Sequence, residues 1–106
     1  MISIKLHENS LIARIAAYKL KEKSIAITLG RHIFLYKSSK QEFLQDMSWI
    51  CHELAHVAQY RRYGFIRFVF LYCKESARNG YFNNRFEKEA RERECDKSLL
   101  EEYTIV

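Results

Sequence analysis

The sequence predicts an α+β fold, a single domain of about four helices and a small β-hairpin spanning residues 1–106. Three observations carry this prediction. Apolar residues recur at helical spacing in several segments, whereas the stretches on either side of Gly30 are rich in β-branched residues. The chain also has no proline, repeat or linker that would divide it. A chain of 106 residues is expected to build one hydrophobic core.

The first predicted helix follows the polar pair Asn9-Ser10, which can cap its N-terminus. Two strands are then expected at 24–29 and 31–36, because both stretches are rich in β-branched or aromatic residues and Gly30 permits a turn between them. These strands would form the hairpin. The apolar positions that define the first helix are Leu11, Ile12, Ile15, Ala16 and Leu20.

A long helix is predicted from about Gln41 to Arg62, after a possible cap at Ser38-Ser39. The glycine of Tyr63-Gly64 is suited to end it. The apolar face of this helix is so wide that the helix must be largely buried, at the centre of the domain.

Two further helices are expected, from about Phe65 to Ala77 and from about Arg85 to Glu102. In the first of them, the aromatic residues are expected to belong to the core. The C-terminal Tyr103–Val106 is expected to fray, with a position inside a cleft of the domain as the alternative. The core candidates of these two helices are Phe65, Phe68 and Phe70, and then Phe86, Ala90, Leu99 and Leu100.

Composition narrows the class of protein. The three cysteines are widely spaced and odd in number, which argues against a disulfide framework and favours a reducing, cytoplasmic location. No secretory signal is visible, and the longest apolar run, residues 65–73, is too short to span a membrane and contains an arginine. Part of the net charge of +5 clusters at Arg61, Arg62, Arg67, Lys74 and Arg78. We interpret this cluster as a solvated rim in preference to a nucleic-acid site.

The most informative motif is His52-Glu53-Leu54-Ala55-His56. In a helix, residues four apart share a face, so His52 and His56 can both direct a ring nitrogen at one zinc ion. Glu53 points in a neighbouring direction, from which it can take a proton from a metal-activated water as a general base. The pattern predicts a zinc site that hydrolyses peptide bonds.

A catalytic zinc usually has three protein ligands, so one more is expected downstream. The remaining histidines lie upstream of the motif, and the last helix carries only carboxylates as candidates. They are Glu87, Glu89, Glu92 and Glu94.

The segment 49–92 resembles the small gluzincin-type metallopeptidases, whose active-site helix carries HExxH and whose later helix supplies a glutamate ligand. The resemblance rests on the motif at 52–56 and on Asn83-Asn84-Arg85-Phe86-Glu87-Lys88-Glu89-Ala90. It implies a minimal zincin-like domain and favours Glu87 over Glu89 as the third ligand, since Glu87 follows an aromatic residue and stands three positions before an alanine. It also implies that residues 33–36 form the edge of the cleft and align a peptide substrate.

The chain departs from the family pattern at Arg91, where gluzincins commonly have an aspartate that supports the site. Because an arginine cannot accept a hydrogen bond from a histidine, another carboxylate such as Glu92 or Asp46 would have to take that role. No motif identifies the group that stabilises the oxyanion. Tyr72 and Tyr81 are the candidates by position.

The resulting expectation is a zinc metallopeptidase that acts on a peptide or protein, with His52, His56 and Glu87 as metal ligands and Glu53 as general base. The alternative is a catalytically degenerate zincin-like protein that binds metal or peptide without cleaving it. The sequence leaves the cleavage specificity and the oligomeric state open.

Overall fold

The computed structural model describes residues 2–8 and 25–106 of the chain. Within these ranges it confirms the predicted α+β fold. The helix predicted to follow Asn9-Ser10 lies outside the described residues. The four strands are β1 (Ile2–His7), β2 (Ile25–Leu29), β3 (His32–Tyr36) and β4 (Tyr103–Ile105). The five helices of the described ranges are α1 (Lys40–Leu44), α2 (Met47–Tyr63), α3 (Phe65–Asn79), α4 (Arg85–Glu92) and α5 (Ser98–Glu102).

The strands form one mixed sheet in the order β2-β3-β1-β4. β2 and β3 make the predicted antiparallel hairpin, and its tight turn starts at Gly30, whose φ of 65° suits glycine. β1 pairs in parallel with β3 and with β4, and neither β1 nor β4 was predicted. The expectation of a frayed or cleft-bound C-terminus is therefore wrong. The end of the chain is held in the sheet, at the edge away from β2.

The core lies between this sheet and α2. Alternate residues of β1 and β3 face it, with Ile4 and Ile33 fully buried, as expected for strands that have one face covered. From α2, Leu54 and Val57 pack into the same cluster and are also fully buried. The prediction that the motif-bearing helix is largely buried is confirmed, and its burial fixes the direction in which the motif side chains point.

The long helix predicted over 41–62 is in fact two helices, α1 and α2. Asp46 separates them, because its side chain accepts a hydrogen bond from the backbone N–H of Trp49 at 3.1 Å and so caps α2. Ser39 caps α1 in the same way and forms a capping box with Glu42. Because Asp46 has this capping role, it is not the carboxylate that supports the histidines.

The last predicted helix is also divided, into α4 and α5. Asp96 lies in the break, where it accepts a hydrogen bond from the backbone N–H of Ser98 and forms an ion pair with Arg93 at 3.1 Å. The four residues predicted to point inward from this segment all pack in the core. Phe86, Ala90 and Leu99 are buried, and Leu100 is half-buried.

Helix α3 confirms the predicted helix after Gly64 and extends it to Asn79. Phe68 is buried as predicted and packs edge-on against Tyr60 of α2 and Phe86 of α4, with centroid distances of 4.5 and 5.1 Å. The prediction that Phe65 and Phe70 belong to the core is wrong, since both are exposed. A search of the described residues finds no helix with the length and hydropathy that a membrane span requires.

Candidate metal centre

Two helices bring three predicted site residues together. His52 and His56 project from one face of α2, and Glu87 approaches from α4. The Nε2 atom of His52 lies 3.0 Å from Glu87 Oε1, and the Nε2 atom of His56 lies 3.2 Å from the same oxygen. His56 and Glu87 are buried, and His52 is half-buried.

The donor atoms are close enough together to bind one metal ion. One atom from each of His52, His56 and Glu87 lies within 4.8 Å of the others, and the donors are the nitrogen and oxygen types that zinc prefers. In a tetrahedral site with bonds of about 2.0 Å, neighbouring ligand atoms stand roughly 3.3 Å apart. The distances between the nitrogens and the carboxylate oxygen are close to that value, so these three residues could hold a metal ion after small side-chain movements.

The outer nitrogen of each imidazole is held by a separate acceptor. Nδ1 of His52 donates to Glu94 Oε2 at 2.8 Å, and Nδ1 of His56 donates to Gln59 Oε1 at 2.8 Å. Such contacts fix the ring orientation and the tautomer that leaves Nε2 available to a metal. The supporting role that Arg91 cannot take thus belongs to Glu94 and Gln59. It does not belong to Glu92, which is exposed, or to Asp46.

Gln59 ties the motif helix to the glutamate helix. Its side-chain amide is almost fully buried and donates to the backbone carbonyl of Phe86 and to Glu89 Oε1, each at 3.0 Å. Glu89 therefore binds the amide of Gln59, while Glu87 is the carboxylate that contacts both imidazoles. Of the two glutamates considered as third ligand, the structure places Glu87 at the histidines.

The ionisable side chains of the centre shift one another's pKa values. Burial acts to lower the pKa of His52, but its hydrogen bonds to Glu87 and Glu94 and the charge of Glu53 outweigh burial and raise the pKa to about 9. The pKa of His56 is raised in the same way, against burial, by Glu87 and Glu53. For Glu87, burial acts to raise the pKa, yet the contacts with both histidines and Tyr72 hold it well below its usual range.

Glu53 lies beside the histidines and is buried. Its Oε1 accepts a hydrogen bond from the hydroxyl of Thr28 on β2 at 2.9 Å. Burial raises the pKa of Glu53, and the nearby His56, His52 and Thr28 oppose that shift. A carboxyl group whose pKa is raised by burial is well suited to accept and return a proton near neutral pH.

The two tyrosines predicted as oxyanion stabilisers both lie at this centre. The hydroxyl of Tyr72 donates a short hydrogen bond to Glu87 Oε2, the oxygen that faces away from the histidines. Burial and the charge of Glu87 raise the pKa of Tyr72 and of Tyr81 above the usual range, so both hydroxyls keep their protons. Arg91 is directed elsewhere and donates to the carbonyl of Phe82 while stacking on its ring.

Asn84 positions Glu87 within α4. Its side-chain oxygen accepts from the N–H of Phe86 at 2.8 Å and caps the helix. Its amide nitrogen donates to Ser76 Oγ at 2.8 Å and to the carbonyl of Tyr72 at 3.1 Å, both on α3. Because Asn84 is completely buried, this one side chain fixes where α4 begins relative to α3.

A cavity of about 420 Å³ opens beside the centre. β2 forms one wall and α3 the other, and Glu53, His56 and Glu87 lie at its boundary. Most of the other lining side chains are apolar, including Leu29, Phe68 and Val69. The arrangement combines a concave apolar space with a few convergent polar groups, which is typical of a ligand-binding site.

Comparison with protein families matches residues 3–64, more than half of the chain, to the eCIS core domain. The chain belongs to the eCIS core domain family. Within this eCIS core domain, the matched segment contains the histidine motif at 52–56 but ends before Glu87. Comparison with curated proteins and with solved structures found no match.

Sequence reasoning missed four residues that organise the site: Thr28, Gln59, Asn84 and, in its supporting role, Glu94. Two of them carried a usable signal. Gln59 stands three residues after His56, so a helix places the two side chains together. Asn84 is a polar residue directly before an amphipathic helix, as an N-cap is. Thr28 and Glu94 reach the site only through tertiary packing.

Proposed function

We propose that this eCIS core domain is a zinc-dependent metallopeptidase of the gluzincin type. The observation that carries the proposal is the convergence of His52, His56 and Glu87 on one point, with Glu53 beside them at the wall of a cavity. Two imidazoles and one carboxylate are a ligand set of catalytic zinc sites, which leave a further position for water or substrate.

His52, His56 and Glu87 would hold the ion through Nε2, Nε2 and a carboxylate oxygen. A divalent ion held there supplies a Lewis acid that acidifies a water molecule and polarises a carbonyl group. Glu94 and Gln59 keep the two rings oriented, and Tyr72 holds the outer oxygen of Glu87. These contacts therefore orient all three ligand side chains in the metal-free protein.

Glu53 would act as the general base. It takes a proton from the attacking water as the water oxygen adds to the scissile carbonyl carbon, and it delivers that proton to the amine nitrogen when the C–N bond breaks. Burial keeps its pKa high enough for the second step, and the hydrogen bond from Thr28 fixes its orientation. Tyr72 and Tyr81 both line the cavity with protonated hydroxyls near Glu87, and either could donate to the oxyanion.

The substrate would be an extended peptide aligned along β2. The expectation that residues 33–36 form the cleft edge is corrected here, because β3 lies between β2 and β1 in the sheet. β2 is the outermost of the described strands on that side, and its residues 26–29 line the cavity. An edge strand can bind an extended peptide through backbone hydrogen bonds while the cavity receives a side chain.

The family suggests the setting in which the domain works. The matching model describes the core domain of an extracellular contractile injection system, which is a multi-protein assembly. We infer that the protein acts with other components of such a system, and that its peptide or protein substrate is met in that setting.

Metal content and cleavage test the proposal separately. Purified wild-type protein is expected to hold one zinc per chain, and Glu87→Gln to lose it, while the matched Glu89→Gln keeps it. Glu53→Gln is expected to keep zinc but to lower the cleavage of a peptide library by about a hundredfold or more. Zinc binding without cleavage by the wild type would instead favour the degenerate, metal-binding alternative. Zinc retained by Glu87→Gln would show that the ligand assignment is wrong.

A further inference from the structure

Helix α3 carries an apolar stripe that the rest of the described chain leaves uncovered. Ile66 is 84% exposed and Phe70 is 66% exposed, and their spacing of four positions puts them on one face of the helix, one turn apart. Cys73 and Ala77 continue the stripe at helical spacing and are also exposed. Large apolar side chains grouped on a solvent face indicate an interaction surface.

Three cations run beside this stripe. Arg67, Lys74 and Arg78 are separated by seven and four residues, so they fall on one line along the helix, next to Ile66 and Phe70. All three are exposed, and no salt bridge of the described residues includes them. The acidic residue of α3, Glu75, lies away from the stripe and accepts a hydrogen bond from Asn79.

The orientation of α3 is fixed by its opposite face. Phe68 and Tyr72 point inward, against the aromatic cluster of α2 and α4 and against Glu87. Rotation of the helix to hide Ile66 and Phe70 would therefore expose Phe68 and break the contact between Tyr72 and the metal centre. The apolar stripe and the line of cations are therefore held on the outer face of α3 among the described residues.

We propose that α3 docks the domain on an anionic lipid surface. Ile66 and Phe70 would enter the boundary between headgroups and acyl chains, with Arg67, Lys74 and Arg78 against the lipid phosphates. An anionic lipid surface would contact both the apolar stripe and the line of cations. A nucleic acid would pair with the cations but leave Ile66 and Phe70 in water, and an apolar protein groove would cover the stripe but leave the cations without counter-charges.

The docked orientation has a consequence for the cavity. Val69, Cys73 and Ser76 line that cavity and belong to the same helix, next to the stripe. Docking through α3 would therefore hold the mouth of the cavity beside the membrane surface. The inference does not depend on metal binding or on peptide cleavage, and its test requires neither.

The first test is co-sedimentation of the full chain with vesicles. Phosphatidylcholine vesicles should bind little, whereas an equal mixture of phosphatidylcholine and phosphatidylglycerol should bind the protein in a manner that added salt weakens. Both Ile66→Ser/Phe70→Ser and Arg67→Glu/Lys74→Glu/Arg78→Glu should lower this binding by about tenfold or more. The control Lys40→Glu/Lys88→Glu/Lys97→Glu carries the same net charge on other exposed positions and should keep most of the binding.

The second test reports insertion. A tryptophan at Phe70→Trp should shift its emission to the blue on anionic vesicles, whereas one at Leu44→Trp, an exposed apolar position outside α3, should not. Absence of binding to anionic vesicles would overturn the proposal, as would an equal loss in the control triple variant. Duplex DNA binding that depends on Arg67, Lys74 and Arg78, without vesicle binding, would assign the cations to nucleic acid instead. A concentration-dependent dimer abolished by Ile66→Ser/Phe70→Ser, again without vesicle binding, would assign the stripe to self-association.

Discussion

Nδ1 of His52 lies 2.8 Å from Oε2 of Glu94, a carboxylate that follows α4 and is 42 residues away in sequence. Glu94 does not touch the point where the ligand atoms meet. It acts through the ring of His52, whose plane and tautomer it fixes, and is therefore a positioning residue. Its effect should be measurable in the affinity of the site for metal.

Glu94→Ala should lower the zinc affinity by about tenfold to a hundredfold, because the ring of His52 loses its outer acceptor. The matched control is Glu92→Ala, which removes an exposed carboxylate close by in sequence. Competition with a chromophoric chelator gives both affinities. Equal affinities in the two variants would mean that Glu94 does not position His52.

The zinc affinity should keep rising with pH up to about 9. In the metal-free protein the pKa of His52 is raised to about 9, so below that pH the ion must displace a proton from its imidazole. Each displaced proton makes the apparent affinity increase about tenfold per pH unit, and a free imidazole would stop contributing above about 6.5. The raised pKa of His56 steepens the dependence further.

The measurement is a chelator competition repeated from pH 6 to pH 10. A plateau that begins near pH 7 would contradict the raised pKa of His52. The zinc affinity of Glu94→Ala should become constant at a lower pH than that of the wild type, since the variant lacks one of the contacts that raise the pKa of His52.

Thr28→Val should move the acid limb of the pH profile of kcat/KM to higher pH. The hydrogen bond from Thr28 lowers the pKa of Glu53, so its loss raises that pKa, and Glu53 is then protonated over a wider acid range. Zinc content should not change. If the acid limb of Thr28→Val stays at the pH of the wild-type limb, a group other than Glu53 controls it.

Asn84→Ala should destabilise the domain by about 1–3 kcal/mol, because it removes a helix cap and leaves buried polar groups on α3 and α4 without partners. The neighbouring Asn83 is exposed, and Asn83→Ala should change the free energy of unfolding by less than about 0.5 kcal/mol. Urea unfolding of both variants measures the difference. Similar free energies of unfolding for Asn84→Ala and Asn83→Ala would mean that Asn84 does not hold α4 against α3.

The fold class could be predicted because local patterns determine it: helical periodicity around His52, and β-branched runs on both sides of Gly30. The two strands that were missed need distant partners. β1 does alternate apolar and polar residues, but it pairs with β3 across 25 residues or more and with β4 at the other end of the chain. The helix breaks were missed because they depend on side-chain contacts that the apolar pattern does not reveal. Asp46 caps α2 through the N–H of Trp49, and Asp96 accepts from the N–H of Ser98 in the second break.

In the candidate site, too, local sequence patterns could be predicted, whereas contacts between distant segments could not. His52, Glu53 and His56 are a local motif, and Glu87 was suggested by its neighbours in sequence. Thr28 and Glu94 come from β2 and from beyond α4, so only the packing of those elements against α2 reveals them. Phe65 and Phe70 were assigned to the core from their pattern in the sequence, but both are exposed on α3.

The single oxygen of Glu87 that both imidazoles contact has one more consequence. The contacts with that oxygen raise the pKa of both histidines and so favour two protonated imidazoles around it in the metal-free protein. When a divalent ion enters and both Nε2 protons leave, the total charge of the centre stays the same. The net charge that the surrounding carboxylates balance is therefore the same with protons as with metal, and the exchange needs no compensating charge from elsewhere in the domain.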